Sequence, residues 1–180
     1  MQVVASQGIP AAHTDVIAAP AYWFLESERF DGSGLRGRIA VLSLAAVLND
    51  LADSRAHAAM SLQDARRLSD EDALRLCWLD AFGALIANTD RHQYNILFFT
   101  EGSHLRLAPA FDQVSMLYAP TADGQVPPRE LVLPHATANT LEVWEDAREA
   151  ARQFWEQGSE DMRLSDDARM FCASNMKVFA

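Results

Sequence analysis

The sequence predicts an α+β domain that is mainly helical and carries small β-hairpins. Three observations predict this class. Ser69 is followed by Asp70, Glu71 and Asp72, and then Leu74, Cys77, Trp78, Ala81 and Leu85 recur at helical spacing. Helical patterns also dominate residues 139–180. Two β-prone pairs flank turn formers: Asp15–Ala18 with Tyr22–Phe30, and Ile96–Phe99 with His104–Leu107.

Taken in order, Met1–Gln7 is short and apolar, stops at Gly8 and reads as the tail of a helix. The first β pair turns at Ala19-Pro20, and the glycine-rich stretch from Asp31 to Arg38 reads as a loop. Ser43 can cap a helix running through Leu51. A second short helix is expected after Ser61, where Asp64 completes an S-x-x-D pattern. The helix opened by Ser69 carries three acids in its first turn, which suits the positive end of the helix dipole. It should end near Asn88, just before Asp90. Thr100-Glu-Gly-Ser103 turns the second hairpin, and Pro109 stops its second strand. Residues 119–139 contain four prolines and read as irregular chain. Thr140 is expected to cap a helix reaching Gln157, with Gly158 as its stop, and Ser165 to open a last helix into the C-terminus. There is no internal repeat and no low-complexity tract.

At 180 residues and 49% hydrophobic composition, the chain can build one compact core. A net charge of −10 argues against the chain as a whole binding nucleic acid, because phosphate contacts need clustered cations. Lys177 is the sole lysine, so nearly all positive charge is arginine. Cys77 and Cys172 lie far apart on apolar patterns, as expected for buried free thiols in a reducing compartment. Met1–Ala12 has no basic residue and no long apolar core, and no apolar run approaches the ~18 residues of a membrane span. A soluble, cytoplasmic protein is expected.

The stretch Asp90-Arg-His-Gln-Tyr-Asn95, then a hairpin, then Phe111-Asp112, carries the chemistry. Phosphoryl transfer asks the protein for a carboxylate to orient the attacking hydroxyl and for oxygen ligands to hold magnesium on the phosphates. Kinase catalytic loops read D-x-x-x-x-N, the spacing of Asp90 and Asn95, with a metal-binding Asp after an intervening strand pair. Asn95 offers a neutral oxygen and Asp112 a charged one, the hard donors that Mg²⁺ prefers. The hairpin should return Asp112 to the side of Asn95. His92 either contacts a phosphate or supports the loop. Arg91 either neutralises the carboxylates or is solvated, and Asn88-Thr89 either holds the loop backbone or serves as ordinary turn residues.

Two other patterns carry less. Gly32-Ser-Gly34-Leu-Arg-Gly37 matches G-x-G-x-x-G, but a kinase-type glycine loop needs a lysine on a following strand, and none occurs before Lys177. A metal-dependent hydrolase built from Asp90, His92, His104 and Asp112 would have only two imidazoles for a transition metal.

These residues resemble the HipA-like serine/threonine kinases, toxin kinases of bacterial toxin–antitoxin systems. The matching stretches are Phe24-Leu-Glu-Ser-Glu-Arg-Phe-Asp31, Ile86-Ala-Asn-Thr-Asp-Arg-His-Gln-Tyr-Asn95 and Leu105-Arg-Leu-Ala-Pro-Ala-Phe-Asp112. The resemblance runs from about Gly8 to Met116 and implies the C-terminal lobe of a divergent, two-lobed protein kinase. It implies a hinge at residues 22–31, where backbone groups near Glu28 and Phe30 meet adenine and Asp31 lies near the ribose. It implies Asp90 as base, His92 as a phosphate-side contact, and Asn95 and Asp112 as ligands of Mg²⁺ on ATP. Phe111 stands where the family more usually has tyrosine, which keeps an aromatic wall and loses a hydroxyl. The family's N-terminal lobe, with its phosphate loop and ATP-anchoring lysine, needs far more chain than precedes Tyr22 here. The implied partners are a protein substrate, such as a translation component, and an antitoxin or the missing lobe. A degenerate, non-catalytic remnant that binds such a partner is the alternative.

Overall fold

The computed structural model describes residues 1–20, 22–48 and 54–179. Among them, α1 is Gln2–Ser6; β1, Thr14–Ala19, pairs antiparallel with β2, Tyr22–Ser27. Gly32–Ser33 and Gly37–Arg38 form a two-residue ladder, β3 and β4, where the sequence suggests only a loop. Its tight turn is glycine chemistry: Gly34 has φ +59, and a Cβ on Gly37 would lie 2.4 Å from the Ser33 carbonyl oxygen. β5 is Val41–Ser43, a strand that the sequence pattern does not announce. It adds to the second expected hairpin, β6 (Leu97–Glu101) and β7 (His104–Leu107), giving an antiparallel sheet in the order β5-β6-β7.

Ser43 does cap: its Oγ accepts from Ala46 N–H at 3.2 Å and starts α2, Leu44–Leu48. The expected continuation to Leu51 lies outside the described residues. α3, Arg55–Asp64, corrects the helix start placed after Ser61. Ser54 is the cap, accepting from His57 N–H at 3.0 Å, while Ser61 lies inside the helix and donates to the His57 carbonyl. The S-x-x-D pattern misled because serine can satisfy itself one turn back within a helix.

α4, Asp70–Leu85, is the axis of the fold. Ser69 caps it as expected, its Oγ accepting from Asp72 N–H. Most of its circumference is buried, because α3, α5 and β7 all pack around it. Trp78 stacks on Phe82 at 4.8 Å, and Phe82 meets Phe154 of α5 edge-on. Asp72, buried at the first turn, accepts from Leu107 N–H at 2.9 Å and from Arg75, which pins β7 to the helix. At the other end Ala87 N–H bonds to Ala84 O and Asn88 N–H to Gly83 O, with Ala87 at φ +59. That is a Schellman closure with alanine in the left-handed position that glycine usually takes.

The C-terminal part is helical, with two corrections. Thr140 precedes a short 3₁₀ turn, Leu141–Val143, and its hydroxyl accepts from Thr137 N–H instead of capping. α5 then runs Trp144–Glu160, so Gly158 lies inside the helix and does not stop it. A Cβ there would come within 2.8 Å of Cys172 Sγ, so the glycine lets α6, Asp166–Met176, pack close. Ser165 caps α6 as expected, through Ala168 N–H, and a 3₁₀ turn over Lys177–Phe179 follows. Trp155 is fully buried, and its Nε1–H donates to the Leu85 carbonyl, one of the free carbonyls at the end of α4. Residues 119–136 hold no helix or strand, as the prolines suggest. Both cysteines are buried free thiols, and burial pushes each up to about 11. Among the described residues, no helix is long and apolar enough to cross a membrane.

Candidate functional site

The Schellman closure turns the chain sharply out of α4, keeps Asn88 buried and delivers Thr89 and Asp90 to the surface. Asn88, 2% exposed, organises this exit. Its Oδ1 accepts from Asp90 N–H at 3.0 Å, and its Nδ2 reaches the Asp112 carbonyl at 3.4 Å. Arg91 ties the loop back to the helix it has just left. Its Nε donates to the Asn88 carbonyl at 3.1 Å, and its Nη1 to Asp80 Oδ1 at 2.8 Å and to the Asp80 carbonyl. The Arg91 stem crosses α4 over Gly83, where a Cβ would lie 2.9 Å from Arg91 Cδ. The other oxygen of Asp80 accepts from Ala56 N–H in the first turn of α3 at 3.2 Å. One buried carboxylate therefore fixes both the loop and the neighbouring helix.

Asp90, Asn95 and Asp112 come together as the sequence suggests. Asn95 Nδ2 donates to Asp112 Oδ2 at 2.7 Å and lies 3.4 Å from the Asp90 carbonyl oxygen. Asp90 keeps its side chain half exposed, with His92 Nε2 at 3.7 Å from its Oδ1, and Asp112 is also exposed. Neither carboxylate is buried against apolar neighbours. Asp112 adopts φ +55, a left-handed conformation that aspartate tolerates better than most residues. Asn95 and Asp112 would each offer Mg²⁺ one oxygen if the Asn95 amide, now donating to Asp112, turned its oxygen outward. The donor set, one neutral and one charged oxygen, fits as well.

Residues 22–31, which the resemblance marks as a hinge, meet Phe111 through Phe30. Phe30 is half-buried, with its ring 5.9 Å from Phe111 and 6.2 Å from Phe99. Glu28 is exposed, and its N–H is already given to the His13 carbonyl at 2.9 Å. Asp31 is held by Arg29 through two bonds of 2.9 and 2.7 Å, with Arg38 at 3.8 Å. The Arg29 hydrogen bond keeps the Asp31 carboxyl below the usual carboxylate range. His104, by contrast, lies on β7 in a larger, separate groove with Arg67, Asp70 and Arg106. The structure does not bring it to Asp90. Among the described residues, no group of three or more His, Cys, Asp and Glu side chains could hold a metal ion.

Two residues of the site escaped sequence reasoning. Asp80 carries a weak signal, an acid inside the run Leu76-Cys-Trp-Leu-Asp-Ala-Phe82 that is otherwise apolar. Arg55 carries none. It is 2% exposed, the first residue of α3, and donates Nη2–H to the His92 carbonyl at 3.1 Å. Burial draws its guanidinium down to about 10, a pull that Asp80 partly opposes.

The fold agrees with the comparisons. The family model described as HipA-like C-terminal domain matches residues 1–174. The chain belongs to that family. The Toxin YjjJ of Escherichia coli strain K12 is 30% identical over 177 residues, covering 93% of this chain and 39% of that protein. Among solved structures, HipA of Shewanella oneidensis MR-1, from a complex of HipA, HipB and operator DNA, matches with a TM-score of 0.62. That match has 18% identity and covers 99% of this chain and 52% of the HipA chain, so it speaks to the fold. The chain thus spans between two fifths and about half of the relatives it matches. As a HipA-like C-terminal domain it carries a toxin-family fold, and the HipA in that complex is accompanied by its antitoxin.

Proposed function

We propose that this HipA-like domain is the C-terminal lobe of an ATP- and Mg²⁺-dependent protein kinase acting in the cytoplasm on a serine or threonine hydroxyl. The observation that carries the reading is that the Asn95 amide lies 2.7 Å from the Asp112 carboxylate and 3.4 Å from the Asp90 main-chain carbonyl, with the Asp90 side chain half exposed beside them. Asp90 orients the acceptor hydroxyl and takes its proton. Its half-exposed side chain leaves an acceptor room to approach. His92 stands beside it as a contact for a phosphate oxygen. Asn95 and Asp112 hold Mg²⁺, which when bound neutralises charge on the phosphate oxygens. Backbone groups near Glu28 and Phe30 would meet adenine, with Phe111 as the aromatic wall. Asp31 can reach a ribose only by loosening its grip on Arg29. Positioning is most of this chemistry, so the lobe alone is expected to be weak or inactive.

One observation favours a partner-binding role alongside catalysis. Every residue of β2 is exposed, and with β1 it presents Val16, Ile17, Tyr22, Trp23, Phe24 and Leu25. So much apolar surface on a two-stranded ribbon suits cover by another lobe or protein. If the chain is a degenerate remnant, that surface or an antitoxin contact is its function.

Calorimetric titration with Mg²⁺-ATP tests the site. Binding should survive Asp90→Asn and be lost in Asp112→Ala. With an N-terminal lobe supplied, Asp90→Asn should cut phosphoryl transfer by about 10²- to 10⁴-fold, the usual share of a positioned base. Equal transfer by wild type and Asp90→Asn would remove Asp90 from the role.

A further inference from the structure

Asp112 sits on a short length of chain that is fixed at both ends. Upstream, Ala110 N–H donates to the Pro10 carbonyl at 2.8 Å, and its carbonyl accepts from Ala12 N–H at 2.9 Å. Downstream, Leu117 N–H donates to the Ala87 carbonyl at 3.0 Å, and Tyr118 enters the core. Only Phe111 to Met116 lies between these anchors, with no helix or strand before Met116.

Tyr118 is the principal part of the far anchor. Its ring stacks on Phe171 of α6 at 4.4 Å, nearly parallel, and meets Trp155 of α5 edge-on at 6.0 Å. Its hydroxyl donates to Asn175 Oδ1 of α6 at 2.9 Å. A buried tyrosine so placed gives its ring to packing and its O–H to a partner. Trp155 in turn donates to the Leu85 carbonyl, so the same cluster grips the end of α4 from which the Asp90 loop departs. None of the site residues named above comes from α5 or α6, yet these helices hold the segment that carries Asp112.

Asp112 needs such a hold. Its φ of +55 is a left-handed conformation, which a residue with a side chain keeps only where its surroundings enforce it. Two restraints act close by: Asn95 Nδ2 at 2.7 Å from its carboxylate, and Asn88 Nδ2 at 3.4 Å from its carbonyl oxygen. The first is the bond that Asn95 gives up when its amide oxygen turns to a metal ion, and the second is long. The fixed ends of the segment must then keep the carboxylate aimed.

We propose that Tyr118 is a positioning residue for Asp112, through which α5 and α6 set the aim of the metal-binding carboxylate. The inference rests on the kinase reading and deepens it, by giving the C-terminal helices a part in magnesium binding.

The test uses the 180-residue chain with Tyr118→Leu and Phe171→Ala. The second variant removes the stacking partner and leaves residues 111–118 untouched, and neither changes charge. Without ligand, the NMR resonance of the Gln113 amide, which follows the Asp112 carbonyl, should shift in both variants while the Thr89 and Asp90 amides stay in place. Calorimetric titration with ATP is then run with Mg²⁺ and with excess EDTA. The ratio of the two dissociation constants measures what the metal adds. Tyr118→Leu should lower that ratio about fivefold or more, and Phe171→Ala about twofold or more, with EDTA-treated ATP binding as in wild type. Leu62→Ala, a core truncation in α3, should leave the ratio unchanged, since loss of folded chain affects both titrations alike. Should Tyr118→Leu fail to fold, Tyr118→Phe keeps the ring, removes the bond to Asn175 and should move the ratio in the same direction. A wild-type ratio in the Tyr118 and Phe171 variants, or an equal weakening with and without Mg²⁺, would overturn the positioning role and leave the kinase reading in place. A wild-type chain whose ATP binding gains nothing from Mg²⁺ would overturn the kinase reading, and this inference with it.

Discussion

Replacing Asp80 by alanine tests how the loop carrying Asp90 is held. The carboxylate is 7% exposed and accepts from Arg91 Nη1 at 2.8 Å and from Ala56 N–H at 3.2 Å. A hydrogen bond between charged partners contributes about 1.5–3 kcal/mol, and loss of an acceptor at a helix start costs about 0.5–2 kcal/mol. Arg55 also loses its strongest favourable neighbour while staying buried. Arg91 is partly exposed, so the separate contributions rather than a fully buried pair set the scale. We expect Asp80→Ala to lower unfolding free energy by about 2–5 kcal/mol in urea titration, with Arg91 released toward solvent. Asp80→Asn should recover only part, since its amide can accept at one site and presents a donor to the other. A loss below about 1 kcal/mol would refute the argument that this one carboxylate fixes loop and helix together.

The remaining expectations concern packing and surface. Gly83→Ala should cost about 1–3 kcal/mol despite the better helix former, because its methyl meets the Arg91 stem at 2.9 Å; a stabilised variant in thermal melts would contradict this. Cys77 and Cys172, held neutral by burial, should react with a thiol reagent at pH 8 only once denaturant is added. Rapid labelling of native protein would show the core to be open. Trp23→Ser with Phe24→Ser should shift stability within about 0.5 kcal/mol, since both side chains are exposed, while weakening association with a supplied N-terminal lobe. Unchanged association would remove the hairpin from that interface.

Much of the lobe was legible because local chemistry and tertiary need point the same way. Ser69 with its acidic turn, the turn at Thr100–Ser103 and Ser165 are each satisfied by neighbours within a few residues. The motif from Asp90 to Asp112 was legible for the same reason: a hairpin returns the chain by a fixed length. What escaped depends on distant partners. Gly158 reads as a stop until Cys172 arrives against it. Thr140 reads as a cap, yet its hydroxyl serves Thr137. Val41–Ser43 becomes a strand only because β6 lies alongside. Arg55 could not be found at all, since its meaning comes from a carbonyl at His92 and a carboxylate at Asp80, both across the fold.

The Phe30 ring has a mechanical consequence. It ends the segment leaving the exposed hairpin and leans on Phe111, whose next residue is Asp112. Phe30 also meets Phe99 of β6 edge-on, so one ring touches both the sheet and the residue before Asp112. The end of the hairpin segment and the peptide leading into Asp112 therefore share one ring-to-ring contact, so replacing Phe30 would disturb both.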